Sequence, residues 1–212
     1  MNSPSDSPRD SHYFSESPSS VSKQQQFTID FAEHELTLVT DSGVFSQHGL
    51  DKGTAVLLDA VQREQPLLLA PGSTVCDLGC GTGVIALALA TMYPESTVLA
   101  VDVNERAREL CTMNAKKNGL TNVRVVHPDE IDDSVEISVL WSNPPIRIGK
   151  AALHQLLLTW LPRLTQDGHA RLVVSKNLGA DSLSQWLSHE GFPTEKLSSS
   201  KGFRILGVLP RQ

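Results

Sequence analysis

From Thr74 to His189 the chain repeats one unit: a short apolar run, a turn, then a longer segment with helical spacing. Thr74–Leu78, Thr97–Val101, Val123–Val126, Ile137–Trp141 and His169–Val174 read as strands. Val84–Met92, a segment capped by Asn104 and running to about Lys117, Ala151–Leu164 and Asp181–His189 read as helices. Strands alternating with helices are joined by crossovers, so they lie parallel and are covered on both faces. Thr194–Leu197 and Arg204–Leu209 read as a closing hairpin that adds an antiparallel end to this doubly wound α/β sheet.

Upstream the rhythm differs. Residues 1–11 are Ser, Pro and Asp with little to bury, and are expected to form a disordered tail. Residues 12–212 are expected to form one domain: an arm and hairpin over 12–53, then a core over 54–212. Tyr13 and Phe14 are candidate anchors for the arm. Phe27–Thr40 alternates apolar and polar residues around Glu33–His34, the pattern of a hairpin, and a helix is expected from Thr54 to about Arg63. The apolar stretches, such as Val84–Ala90, are short for a membrane span, and the N-terminus lacks the pattern of a secretory leader. Cys76, Cys80 and Cys111 form no CxxC pair, and the histidines no metal-like pair, so a cytoplasmic protein without a metal is expected. Cys80 lies in a glycine loop, where a small side chain beside a ligand accounts for it without a nucleophilic role.

That loop, Asp77-Leu-Gly79-Cys-Gly81-Thr-Gly83, joins the first strand of the repeat to its helix, and its glycines let a ligand approach the backbone. Asp102 follows 25 residues after Asp77, at the end of the next strand, where a carboxylate can accept from both hydroxyls of a ribose. A dinucleotide fingerprint would need Gly or Ala at position 84, which is Val84. The G-x-G-x-G form with an acid before it suits a compact ligand bearing a ribose and an amino-acid tail. Asp77 is then expected near an ammonium group, although an aspartate bonded to loop amides reads equally from the sequence. Asp102 also reads as an acid at a helix start.

Ser142-Asn143-Pro144-Pro145-Ile146 follows the fourth strand. Two prolines cannot continue a ladder, and they hold the preceding residue extended, which fixes Asn143 at the strand's mouth. The Asn143 side-chain oxygen and the Pro144 carbonyl are two acceptors there. Methylation of an exocyclic amine needs such a pair, because the nitrogen lone pair is delocalised into its ring until two hydrogen bonds favour a pyramidal nitrogen. A structural Pro-Pro turn is the plainer reading.

In this order, glycine loop, acid and Asn-Pro-Pro resemble the class I N-methyltransferases. The chain is similar in particular to the small methyltransferase domain of small-subunit ribosomal RNA guanine-N2 methyltransferases. The likeness rests on His12-Tyr-Phe-Ser-Glu16, Asp41-Ser-Gly-Val-Phe-Ser46, Leu50-Asp-Lys-Gly-Thr54, Asn143-Pro-Pro-Ile-Arg-Ile-Gly-Lys150 and Lys201-Gly-Phe-Arg-Ile205, and covers residues 12–209. It implies a Rossmann-like sheet of seven strands, mostly parallel, with a short N-terminal β-hairpin before it and its last hairpin reversed. It also implies S-adenosyl-L-methionine as cofactor, and ribosomal RNA or the small ribosomal subunit as partner. Asp77, Gly79, Gly81, Gly83, Asp102, Asp129 and Asn143 then fall at cofactor positions, Asn143, Pro144, Pro145 and Ile146 at catalytic ones, and Phe45 at the wall of the transfer pocket. The chain is expected to lack the second, degenerate domain copy of some members, and it has Ile146 where many N-methylating enzymes have an aromatic residue.

Charge is divided along the chain. Residues 1–146 carry nine Lys/Arg against twenty Asp/Glu, and residues 147–212 nine against four. A basic third on an acidic body can steer a polyanion to one face, with Arg147, Lys150, Lys176, Lys201 and Arg204 as candidate phosphate contacts. A protein-glutamine N-methyltransferase and a non-catalytic RNA-binding or ribosome-assembly module are the alternatives. Whether the protein is a monomer or a homodimer stays open.

Overall fold

The computed structural model of the chain describes residues 23–42, 44, 49–145 and 148–212. The expected tail, the aromatic anchors of the arm, Phe45, Ile146 and Arg147 lie outside the described residues. A two-stranded hairpin comes first: β1 (Gln25–Phe31) pairs antiparallel with β2 (His34–Thr40) through a two-residue turn at Ala32–Glu33, both at positive φ. Then follow α1 (Lys52–Val61), β3 (Thr74–Leu78), α2 (Val84–Met92), β4 (Thr97–Val101), α3 (Glu105–Lys117), β5 (Val123–Val126) and β6 (Ile137–Ser142). The chain continues through α4 (Lys150–Trp160), β7 (Leu164–Ser175), α5 (Ala180–His189), β8 (Thr194–Ser200) and β9 (Phe203–Val208).

The seven-stranded sheet has the order β5-β4-β3-β6-β7-β9-β8. β5, β4, β3, β6 and β7 pair parallel; β9 inserts antiparallel between β7 and β8. The order reverses between β3 and β6, so their carboxyl ends flank the crevice in which open α/β sheets bind ligands. Each strand end that the sequence marks as chemical, after Leu78 and after Ser142, opens on that crevice.

Each face of the sheet is sealed by its own apolar layer. Phe31, Leu57, Leu87 and Trp141 belong to the layer beneath α1, α2 and the hairpin, and Leu140, Leu157, Leu161 and Phe192 to the layer beneath α4 and α5. Val84 to Ala90 are all buried, because α2 is wedged between the sheet and its neighbours; a helix apolar all round has no other stable place. The hairpin docks on α3 through two amides one turn apart. Asn114 accepts from Val39 N–H at 2.8 Å and donates to Val39 C=O at 2.9 Å, and Asn118 makes the same pair with Thr37. The two side chains act as a strand edge for β2.

Three boundaries differ from expectation for identifiable reasons. α1 starts at Lys52 because the Asp51 carboxylate caps it. α4 ends at Trp160, not Leu164, because Pro162 lacks an N–H and forces a short 3-10 turn at Leu161–Arg163. β7 begins at Leu164, well before His169, since Ile137 of β6 pairs with Leu164. Among the described residues no helix is long and apolar enough to cross a membrane.

Candidate active site

The glycine loop leaves β3 and is pinned to the end of β4. Gly79 and Cys80 N–H both donate to Val101 C=O at 2.9 Å, and Gly81 N–H donates to Asp102 Oδ2 at 2.9 Å. Gly79, Gly81 and Gly83 have φ of 78°, 53° and 90°, a region that L side chains avoid. Their surroundings differ. A Cβ on Gly81 would meet nothing within 4 Å, whereas one on Gly83 would lie 2.6 Å from Cys111 Sγ. Gly81 therefore faces open space in the crevice, and Gly83 lets α2 start against α3.

Asp102 is held at both oxygens: Oδ1 accepts from Asn104 N–H at 2.9 Å, and Oδ2 from Gly81. Burial raises its pKa against these amides. Asp77 is fully buried on β3; its Oδ2 accepts from Ala86 N–H at 2.8 Å, and its Oδ1 has no partner. Asp77 is thus bonded to an amide in the first turn of α2 rather than to one of the loop, and its Oδ1 is left for a donor. Burial pushes its carboxyl well above the usual carboxylate range, and the charge of Asp102 adds to this. Two repelling, desolvated carboxylates behind a loop whose amides are already engaged favour a cationic ligand over a pyrophosphate. Asp129, on the short turn after β5, is exposed, and its N–H donates to His127 Nδ1. Cys80 is buried, and the Cys111 thiol and burial together hold its pKa well above normal, so it stays a protonated thiol.

Across the crevice stands Asn143. Ser142, fully buried, donates its hydroxyl to Leu78 C=O at 2.6 Å and clips the end of β6 to the end of β3. Pro145 Cδ lies 3.8 Å from where a Gly79 Cβ would be, so the proline turn directly faces the glycine loop. Asn143 Nδ2 donates to Asp51 Oδ2 at 2.8 Å and to Thr54 Oγ1 at 3.0 Å. Both amide protons are used, and no described residue donates to Oδ1. Pro145 C=O accepts from Ile148 N–H; among the described residues none donates to the Pro144 carbonyl. A small cleft is lined by Thr54, Gly79, Cys80, Gly81, Thr82, Val84, Ile85 and Asn143. A larger depression of about 380 Å³, around Asp133, Leu158 and Arg163, lies at the opposite end of β6, away from this chemistry.

The candidate phosphate contacts divide. Lys150 opens α4, Lys176 follows β7, and Lys201 forms the β8–β9 turn; all three are exposed, at the same end of the sheet as Asn143. Lys176 N–H donates to Gly202 C=O at 2.9 Å, which joins two of these positions. Arg204 is instead largely buried and ion-paired with Asp181. Sequence reasoning missed Asp51, Thr54 and Ser142 as members of the site. The Asp51-x-x-Thr54 spacing of an N-cap was the available signal for the first two.

A doubly wound sheet, a cation-favouring glycine crevice and an Asn-Pro-Pro turn opposite it define a methyltransferase, with S-adenosylmethionine as methyl donor. The chain belongs to the methyltransferase small domain family, whose pattern it matches over residues 35–207. It is 33% identical to the uncharacterized protein YbxB of Bacillus subtilis (strain 168) over 92% of this chain and 96% of that one. It is 34% identical to ribosomal RNA small subunit methyltransferase C of Pseudomonas aeruginosa (strain LESB58) over 85% of this chain, and spans 53% of that relative's length. Among solved structures it resembles the T. thermophilus 16S rRNA N2 G1207 methyltransferase (RsmC) in complex with AdoMet and guanosine. The TM-score is 0.75 at 24% identity, covering 89% of this chain and 51% of that one.

Proposed function

We propose that the protein methylates the exocyclic N2 amine of a guanine in small-subunit ribosomal RNA. The observation that carries this reading is the fixed amide of Asn143, which lines one cleft with the glycine loop: Asp51 and Thr54 take its donor end, and its oxygen is the end left to accept. When bound, S-adenosylmethionine would supply an electrophilic methyl whose sulfonium sulfur leaves with the bonding pair, and the substrate nitrogen that takes the methyl would lose its proton to water. Asp102 would hold the ribose hydroxyls, Asp77 and Gly79 the amino-acid end, and Asp129 the adenine side. Gly81 leaves the approach clear. Asn143 Oδ1 and Pro144 C=O each accept one amino proton and hold the nitrogen pyramidal, with its lone pair toward the glycine loop. No general base is needed, because the nitrogen proton becomes acidic once the methyl is attached.

The rim lysines Lys150, Lys176 and Lys201 support a polyanionic substrate, and a base extruded from RNA is the form that reaches this depth. The relatives named for ribosomal RNA methylation support the same substrate. A ribosomal substrate places the enzyme in the cytoplasm. Two measurements test the reading. Mass mapping of small-subunit RNA from cells with and without the gene is expected to show loss of one N2-methylguanosine. Asn143→Ala is expected to keep cofactor affinity and lose turnover by a factor of about a hundred. Unchanged nucleosides, or label appearing on a protein glutamine instead, would overturn the assignment.

A further inference from the structure

We infer that Asp51, together with Thr54, is the positioning pair that sets which end of the Asn143 amide meets the substrate. This rests on the reading of Asn143 as the acceptor. A carboxamide is nearly isosteric about its own axis, and rotation by half a turn would present NH₂ rather than oxygen to the incoming amine. The Asn-Pro-Pro turn fixes the backbone of residue 143, not this rotation.

Asp51 removes the choice. An ionised carboxylate only accepts, so it can be met by Nδ2 and not by Oδ1. Its position is itself determined: Oδ2 also accepts from Gly53 N–H at 2.8 Å and Thr54 N–H at 3.1 Å, as the cap of α1. The first turn of the helix therefore aims the charge. Packing leaves no slack around it, since a Cβ on Gly53 would lie 3.0 Å from Asp51 Oδ2, 3.0 Å from Phe203 Cε1 and 3.3 Å from Asn143 Nδ2. A charge at the donor end of the amide also polarises it, and makes Oδ1 more negative where the substrate nitrogen becomes positive during transfer. Asp51 acts wholly through Asn143.

Asp51→Asn separates this role from capping. Asparagine keeps one oxygen for the Gly53, Thr54 and Asn143 donors, but it loses the charge that polarises the amide and gains an NH₂ that no longer excludes Asn143 Oδ1. Substrates are small ribosomal subunits from cells lacking the gene, and the full chain is used. The expected result for Asp51→Asn is a kcat lower by about tenfold or more, with KM for subunits, cofactor Kd and Tm close to wild type. Thr54→Val, which leaves the cap untouched, is expected to lower kcat, and Thr54→Ser to restore what Thr54→Val loses. Wild-type kcat in Asp51→Asn overturns the proposal, as does a loss confined to Tm and cofactor binding. A second readout needs no turnover: the side-chain ¹⁵N–¹H pair of Asn143 is expected to shift in Asp51→Asn, and an unmoved pair overturns the contact. If wild-type enzyme fails to label subunits, the substrate reading fails, and the amide resonances alone decide the positioning role.

Discussion

Gly83→Ala discriminates between a glycine kept for the cofactor and one kept for packing, and its cost follows from two features. The first is backbone: φ is 90° at this position, and a non-glycine residue there costs about 1–2 kcal/mol. The second is space: the added methyl would sit 2.6 Å from Cys111 Sγ and 3.2 Å from Cys111 Cα, so the backbone of α3 must give as well as the thiol. Overpacking of this kind costs about 1–3 kcal/mol. The sum is about 2–5 kcal/mol, which lowers the melting temperature of a chain this size by roughly 4–20 °C. Calorimetric melting without cofactor is the assay, repeated in a Cys111→Ala background. Removing Sγ relieves the nearest clash but neither the backbone strain nor the crowding against the main chain of α3, so the double variant is expected to recover about 1 kcal/mol or more relative to additivity. An alanine variant that melts like wild type, or costs that simply add, would refute the packing argument and return Gly83 to the cofactor.

Two further outcomes concern stability and one concerns RNA. Burial, and secondarily the charge of Arg171, hold His169 at about 4 against an ordinary 6.5, so between these values the unfolded chain binds a proton that the folded one does not. Stability is then lost as pH falls through that window, by at most about 3 kcal/mol, and pH-dependent urea titrations of His169→Gln should show a flatter slope than wild type; equal slopes would refute it. Arg204→Ala should lower stability by about 1–2 kcal/mol through its buried stem and its pairing with Asp181, as urea titration measures. Lys201→Ala should leave melting unchanged and reduce the salt slope of RNA binding by about one, a contrast that filter binding at several salt concentrations measures.

The parts of this molecule legible in the sequence are those whose cause is local. Asn104 caps α3 by accepting from Ala107 N–H three residues on, and Val84–Met92 is helical and apolar within its own nine residues. The order glycine loop, Asp102, Asn143 was legible too, because the topology of alternating strands puts those ends on one edge. What was not legible depends on partners far along the chain. Asn143 meets Asp51 across 92 residues, Ser142 meets Leu78 across 64, and Asn114 meets Val39 across 75. Such pairings have no periodicity or spacing to reveal them. Arg204 looked like a surface cation because net charge by segment ignores burial, and only the fold brings Asp181 to it.

The identity of residue 143 follows from its two neighbours together. An aspartate there would offer acceptors to an amine, but it would also stand within hydrogen-bond distance of Asp51. Two carboxylates at that separation cannot both stay ionised, and the shared proton would remove an acceptor or break the cap of α1. An alanine would leave Asp51 without this partner at the mouth of a crevice that already holds two repelling acids, Asp77 and Asp102. A carboxamide satisfies both sides: its NH₂ donates to Asp51, and in the proposed reading its oxygen is left to accept from the substrate amine. The prolines after it add what the amide lacks, a backbone that cannot swing and a carbonyl that no helix claims. In the proposed reading, lysines at the rim would draw a polyanion and carboxylates beneath would draw a cationic cofactor, to opposite sides of the one neutral side chain of Asn143.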